Sequence, residues 1–580
     1  MNTTPSSKDI IMNVDGMSPQ TLEDEICGYL RIVAKLRRQL NTFAPISRLP
    51  PEVLAQVFIH HIDQSLNTLR IENFYKWVQI THVCSHWRIV ALAFPRVWSC
   101  IWIPISLTWM NEMITRSKSV PLSINAVYLS FGAEADRAEL NCVASELMGR
   151  LQSLKLRSSP YMHQKFWEQV KEPAPLLQSL ILINEADYGG SDASNALNLP
   201  ILLTPNRAPQ LHKLEVHNYP NCWENISYLG SLRDLVLCNE DNEPDTILTT
   251  IPMAQLFSEL EKLPRLESLT LDRAFHLTTP DILAKSYSLP HIHSLSLGGD
   301  LSECTEALSH LTLPPGVSFK LSIHTSGGNV QKFAQVVAEK INPLAAKPLG
   351  VLCVHETNDD LHIRAYSREK QQLAEHIRNA TTPSDPVNTH EWEWSERQQC
   401  VLDLTISGHA NMPGMVLCVC KTLPILEISF LFLSGHVVEN DEVWLEAFGR
   451  LERLTILWVH ADWRRTASAL PEPLLGRMVS HTDEPGTPYY FPKLRVLKLD
   501  GVYFQSLQEH CDEIRGTFFE SLLNGLATRS RRGCPVPSLI LRKCINLLED
   551  DVNELSQYVK KLSWDKLEQF DDDHDYASSY

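Results

Sequence analysis

Several things are missing from this 580-residue chain, and each absence closes off a class of function. No run of about 18 apolar residues occurs, so no segment reads as a membrane-crossing helix. The opening "MNTTPSSKDI" has neither a basic flank nor an apolar core and does not read as a secretory signal. The fourteen cysteines contain no CxxC pair, which points to reduced thiols in the cytoplasm or nucleus. No basic stripe offsets the net charge of −17, so nucleic acid is not expected as a partner, because that affinity rests on Lys and Arg neutralising phosphates.

Catalytic signatures are equally scarce. There is no phosphate-cradling glycine loop, no GxSxG elbow and no HExxH. "VHETND" and "THEWEW" carry only the first two letters of the zinc motif. Ser407-Gly408-His409 and Ser434-Gly435-His436 lack the flanking glycines of an elbow. Cys418 and Cys420 in "CVC" are expected on one face of a strand, which is at most half a metal site. The expectation is a non-catalytic chain with no cofactor and no metal.

At this length several domains or one elongated array are expected. With 44% hydrophobic and 21% charged residues, the composition is that of a folded soluble protein. Residues 1–20 are polar and read as disordered. Over 21–44, Leu22, Ile26, Leu30, Val33, Leu36 and Leu40 trace one face of a helix. That face is expected to pack on the neighbouring domain; a short coiled coil is the alternative. Next, "APISRLPPEVLAQVFIHHI" starts a helix at Pro50-Pro51, with Glu52 favourably near the positive N-terminus. Leu54, Val57, Phe58 and His61 are its expected buried face.

A second helical stretch is expected from about Phe74. In "THVCSHWRIV" the residues His82, Cys84 and His86 alternate like metal ligands. The apolar set Ile80, Val83, Cys84, Trp87, Val90 and Ala91 instead follows helical spacing. On a helix His82 and Cys84 point about 160° apart and cannot converge on one ion. Cys84 is therefore expected in the core.

Together Leu49-Pro50-Pro51-Glu52-Val53-Leu54, Val57-Phe58, Val83-Cys84-x-x-Trp87-Arg88 and Pro95-x-x-Trp98 resemble the F-box, in the form found in large fungal F-box families. The resemblance spans residues 45–104. It implies a small helical module that docks a Skp-type adaptor and, through it, a cullin ubiquitin ligase. It further implies that Leu49, Pro50, Glu52, Leu54 and Val57 meet the adaptor, with Trp87 and Arg88 near the contact.

From 105 to 565 a breaker followed by L-x-x-L-x-L recurs. Examples are Leu151/Leu154/Leu156, Leu266/Leu269/Leu271, Leu423/Leu426/Ile428, Leu451/Leu454/Ile456 and Leu494/Leu497/Leu499. Alternating L-x-L is a strand with one face buried, and its repetition resembles degenerate leucine-rich repeats. Asn184, Asn218 and Asn239 fall one place short of the usual asparagine position. Helical segments are expected within 325–400, and the aromatic-acidic stretch around Trp392 and Trp394 reads as a loop. Residues 566–580 read as an acidic tail.

The expected architecture is thus mixed α/β: a small N-terminal helical module followed by a solenoid of parallel strands. The expected role is the substrate-recognition subunit of an SCF-type (Skp adaptor, cullin, F-box) ligase. A binding scaffold that does not deliver ubiquitin is the alternative. A target protein is expected on the positions between the buried leucines, chiefly Val236, Thr270 and Ser296, with Lys155, Ile181, Glu215 and Lys498 in the same set. No membrane or nucleic-acid partner is expected.

Overall fold

The computed structural model describes residues 17–66, 75–103, 105–127, 138–185, 206–219, 226–239, 251–278, 285–325, 329–341, 348–357, 360–367, 400–408, 412–435, 443–461, 490–504 and 517–568. The chain divides into two compact units. One runs to Tyr188 and takes in Asn206–Gln210; the other continues from Leu211. No helix among the described residues is long and apolar enough to cross a membrane.

The first unit opens with the helix Pro19–Asn41. Proline occupies its first turn, where no N–H partner is needed, and the Ser18 hydroxyl accepts from the Thr21 amide at 3.2 Å. None of its residues is buried, so the expected packing of its apolar face on a neighbouring domain is not found among the described residues. Helix Pro51–Leu66 follows. Its buried face is Leu54, Ala55, Phe58 and Ile62, whereas Val57 is 43% exposed and His61 is also exposed. The helix is rotated by about one position from the expected set of Leu54, Val57, Phe58 and His61.

The expected second helix is two helices. Ile80–Val83 ends at Cys84, whose extended backbone (φ −158°, ψ 169°) breaks the run before Ser85–Ala93. The Cys84 sulfur accepts from the Trp87 amide at 3.5 Å and so caps the second helix. This corrects two expectations: Cys84 is half-buried rather than core, and Val83 is 59% exposed. Among the described residues, no group of three or more His, Cys, Asp or Glu could hold a metal ion.

Tryptophans tie these helices together. Trp98 is fully buried and donates from its indole to the Ala91 carbonyl at 2.7 Å. Its ring meets Trp77 edge-on at 5.4 Å and Trp109 at 6.2 Å, and the Arg116 guanidinium lies 4.3 Å over it. The Tyr75 hydroxyl donates to the Trp102 carbonyl at 2.6 Å and accepts from its amide at 3.0 Å. The helical module is thereby joined directly to the first strand. That sheet holds β1 (Cys100–Ile103), β2 (Leu122–Ala126), β3 (Leu151–Ser158) and β4 (Ser179–Asn184), all parallel, with Ile101, Ile124, Leu154 and Leu180 in register. The strand ladder therefore begins two strands before the first L-x-x-L-x-L unit.

In the second unit the strands are β5 (Lys213–His217), β6 (Asp234–Cys238), β7 (Ile251–Pro252), β8 (Ser268–Asp272), β9 (Phe275–His276), β10 (Tyr287–Ser288), β11 (Ser294–Asp300), β12 (Leu311–Thr312) and β13 (Ser318–His324). They continue as β14 (Leu349–Glu356), β15 (Asp360–Ser367), β16 (Leu402–Ser407), β17 (Phe430–Ser434), β18 (Ile456–His460), β19 (Val496–Asp500), β20 (Ser538–Arg542) and β21 (Lys561–Trp564). Two short parallel pairs, β7 with β9 and β10 with β12, stand outside the main sheet. The main sheet is a parallel ladder with helices between its strands, an arrangement compatible with a leucine-rich-repeat-like α/β fold. Helix Leu301–His310 packs on β11 and β13, and Val330–Ile341 packs between it and Met412–Thr422. Cys418 and Cys420 lie on the last of these helices, not on a strand.

One strand departs from the expected parallel array. β14 and β15 form an antiparallel hairpin, and β15 also pairs antiparallel with β16. The hairpin enters between β16 and β17, so the order runs β13–β16–β15–β14–β17. Its turn is held by Thr357 donating from its amide to the Asp360 carbonyl and accepting on its hydroxyl from the Asp360 amide. "KQQLAEHIRNA" and the Trp392–Trp394 stretch lie outside the described residues.

The L-x-L leucines are buried almost without exception: Leu154, Leu180, Leu214, Leu235, Leu269, Leu295 and Leu497 are 0% exposed. Two units need correction. Leu431 pairs with Leu457 and Leu433 with Val459, and these pair in turn with Leu497 and Leu499. The buried sets are therefore Ile428/Leu431/Leu433 and Leu454/Leu457/Val459, the first five residues and the second three residues later than expected, and Leu426 is 55% exposed. "LPILEISFLFL" fits the spacing at both positions, and the pleat allows only the one that matches its neighbours. Replacing Leu431 with Ala should cost about 3 kcal/mol of unfolding free energy by denaturant titration, whereas Leu426→Ala should stay within about 0.5 kcal/mol.

A second prediction concerns acid. His163, on helix Pro160–Gln169, is fully buried with its Nε2 3.0 Å from the Ile183 carbonyl oxygen, and burial pushes its pKa down to about 4. The unfolded chain binds this proton near pH 6.5 and the folded chain does not, so stability is intact above that pH and falls as pH drops towards 4. The loss should approach about 3 kcal/mol. His163→Gln, which can still donate to Ile183, should flatten the stability of the first unit between pH 6.5 and 4 in acid titrations of its melting transition.

Candidate interaction surfaces

The pleat places the residues between the buried leucines in one row. Within the second unit, Glu215 faces Val236, Val236 faces Thr270, Thr270 faces Ser296 and Ser296 faces Lys320. Val236, Thr270 and Ser296 are half-buried neighbours, and Lys320 is exposed. The row continues through Asp403, Arg364, Cys353, Phe432, Trp458 and Lys498. Within the first unit, Lys155 and Ile181 pair directly.

Lys498 differs from the expectation for that set. It is 4% exposed, and its ammonium sits 3.5 Å over the Trp458 ring. The reason is a second apolar cluster on this face: Val351, Tyr366, Phe430, Phe432, Ile456 and Trp458 are all buried, with Cys353, Cys400 and Val496 packed against them. β17 and β18 are thus buried on both faces, which the uninterrupted runs "FLFL" and "ILWV" signal in the sequence. The open part of the row is the stretch from Glu215 to Lys320, followed by the Arg364–Asp403 ion pair at 3.0 Å.

A parallel row two residues along each strand is polar and rich in histidine. It reads His217, Cys238, Asp272, Gly298, Ser322, Thr405, His362, His355, Ser434, His460, Asp500 and Arg542 across the ladder. The His355 and His362 rings stack at 6.0 Å. His362 Nδ1 lies 3.1 Å from the Thr405 hydroxyl, and burial lowers its pKa. Asp272 leans so closely over Gly298 that a β-carbon there would stand 2.3 Å from its carboxylate oxygen. This row was not singled out from the sequence, although the same period of two that gives Val236, Thr270 and Ser296 leads to it. Burial pushes the Cys304, Cys353 and Cys420 thiols up to about 12, which keeps them protonated at neutral pH.

On the helical module, Pro50 and Glu52 are exposed and Leu49 is half-buried. Leu54 is 0% exposed, which corrects its placement at a contact: it supports the module from inside. Trp87 is half-buried with its ring 5.1 Å from Phe58, and Arg88 is exposed with its Nε donating to the Thr81 carbonyl at 2.8 Å. The aliphatic side chains left in solvent are Val53 at 46% and Val57 on the first helix, Val83 at the end of the second, and Ile89 at 66% and Leu92 at 42% on the third. Among the module's described residues five aliphatics are thus exposed, an unusual number for a unit this small and a feature that a partner can cover.

No protein-family model matches the chain, and no curated protein matches it. Among solved structures, it is similar to the crystal structure of the TLR13–ssRNA13 complex at 16% identity, with a TM-score of 0.25 over 72% of this chain and 54% of that one. The chain thus spans about half the length of that protein.

Proposed function

We propose that this protein is a non-catalytic substrate-recognition subunit of an SCF-type ubiquitin ligase, in which an F-box docks a Skp-type adaptor and, through it, a cullin. The strand array would then be a degenerate leucine-rich-repeat receptor for a target protein. The observation that carries the reading is the module at Leu49–Trp98. Its motif tryptophan Trp98 and Phe58 form the interior, while Val53, Val57, Val83, Ile89 and Leu92 remain in solvent. Apolar anchors of this kind, once desolvated at the centre of an interface, contribute about 2 kcal/mol or more each.

On this reading Leu49, Pro50, Glu52 and Val57 meet the adaptor together with Val53, and Arg88 borders the contact. Leu54 and Trp87 hold the helices in place. The target lies along Val236, Thr270 and Ser296, a mixed surface suited to a protein. The net charge of −17 favours a basic target through steering.

The test is co-purification of the full chain with a Skp-type adaptor. Val53→Asp with Val57→Asp should lower adaptor capture at least about thirtyfold and leave the circular dichroism spectrum unchanged, because both side chains are already exposed. Charges introduced together at Val236, Thr270 and Ser296 should abolish target capture and leave adaptor capture intact. Failure of the intact chain to bind the adaptor would refute the reading.

A further inference from the structure

The N-terminal helix Pro19–Asn41 carries an apolar stripe that stands exposed among the described residues. Ile26, Tyr29, Val33, Leu36 and Leu40 are 56%, 45%, 41%, 66% and 69% exposed. With Leu22 they recur in alternating steps of four and three, which is the seam of a left-handed coiled coil. A stripe this long in solvent calls for a partner.

The residues flanking the seam identify that partner. Along one flank, at intervals of seven, stand Glu23, Leu30 and Arg37; along the other stand Glu25, Ile32 and Gln39. Each flank is acidic at its N-terminal end and aliphatic in the middle, and it ends in Arg or Gln. In a parallel pair the two different flanks face each other, which sets Glu25 against Leu30 and Ile32 against Arg37, a charge against an aliphatic each time. In an antiparallel pair each flank faces its own reverse. Glu23 then meets Arg37 of the second copy, Glu25 meets Gln39, and Leu30 and Ile32 each meet themselves at the two-fold axis. The seam layers become Leu22 on Leu40, Ile26 on Leu36 and Tyr29 on Val33. More broadly, Glu23, Asp24 and Glu25 lie in the first half of the helix, and Arg31, Lys35, Arg37 and Arg38 in the second. Only a reversed copy pairs these opposite charges at both ends.

We infer that this helix is a homodimerisation element, and that its occupant is the same helix of a second copy, antiparallel, with Leu30 and Ile32 on the two-fold axis. The interface is isologous and closes at two chains. Each assembly then carries two copies of the helical module, whatever partner that module takes.

The test uses the full chain in sedimentation velocity over a range of concentrations, with no adaptor present. The wild type should be dimeric at the upper end, and Leu30→Asp with Ile32→Asp should be monomeric throughout. Those positions are 61% and 56% exposed in the single chain, so circular dichroism should not change. Glu23→Arg should weaken the dimer about tenfold, and adding Arg37→Glu should restore it. Under mild oxidation Leu30→Cys should form a disulfide-linked dimer. A wild type that is monomeric at every concentration, or a dimer untouched by Leu30→Asp with Ile32→Asp, overturns the inference. Cross-linking of Val33→Cys in place of Leu30→Cys indicates a parallel pair and overturns the orientation.

Discussion

Everything in the strand array depends on the period of two along each strand. Adjacent parallel strands sit about 4.8 Å apart, so a leucine on one strand must meet the equivalent leucine on the next or expose the whole set. The ladder obeys this from Leu214 through Leu235, Leu269 and Leu295, each wholly buried. Each such side chain contributes about 2 kcal/mol when withdrawn from water, and a slip by one residue would forfeit all of them together. The same constraint that buries the leucines orders the residues between them, and it makes Val236, Thr270 and Ser296 consecutive neighbours rather than scattered points.

A different constraint governs the helical module. It is too small to bury much apolar surface by itself, and aromatic packing supplies what size does not. Trp98 bridges Trp77 and Trp109, and Tyr75 clasps both backbone groups of Trp102 on β1. The module is therefore continuous with the first strand, and its aliphatic side chains can point outward without leaving the interior empty.

The sequence was most readable where a pattern had one physical solution. Helix Pro19–Asn41, the start at Pro51 and the units at Leu154, Leu269 and Leu497 belong to that class. It misled where two solutions fitted. "LPILEISFLFL" accepts the repeat at two positions, and only the partner strands choose between them. "THVCSHW" accepts a continuous helix, yet Cys84 breaks it because its sulfur caps the Trp87 amide. The hairpin of β14 and β15 was legible in principle: Leu361, Ile363 and Ala365 alternate after a turn-forming "ETNDD". Its insertion between β16 and β17 was not, because strand order across a sheet leaves no local trace in the chain. On the helical module the motif spans the helices, but a motif cannot tell an inward residue from an outward one. Leu54 and Val53 are adjacent in the same motif, and one is buried while the other is nearly half exposed.

Proximity on the open face of the ladder measures its register directly. Cysteines placed at Thr270 and Ser296, neighbours in the parallel pairing of β8 and β11, should be bridged by a thiol cross-linker about 5 Å long and identified by peptide mass spectrometry. The pair Thr270 and Lys320, two strands apart, should be bridged far less. Failure to link Thr270 with Ser296 in the folded chain, or equal linking of Thr270 with Lys320, would contradict the ladder and the recognition surface proposed on it.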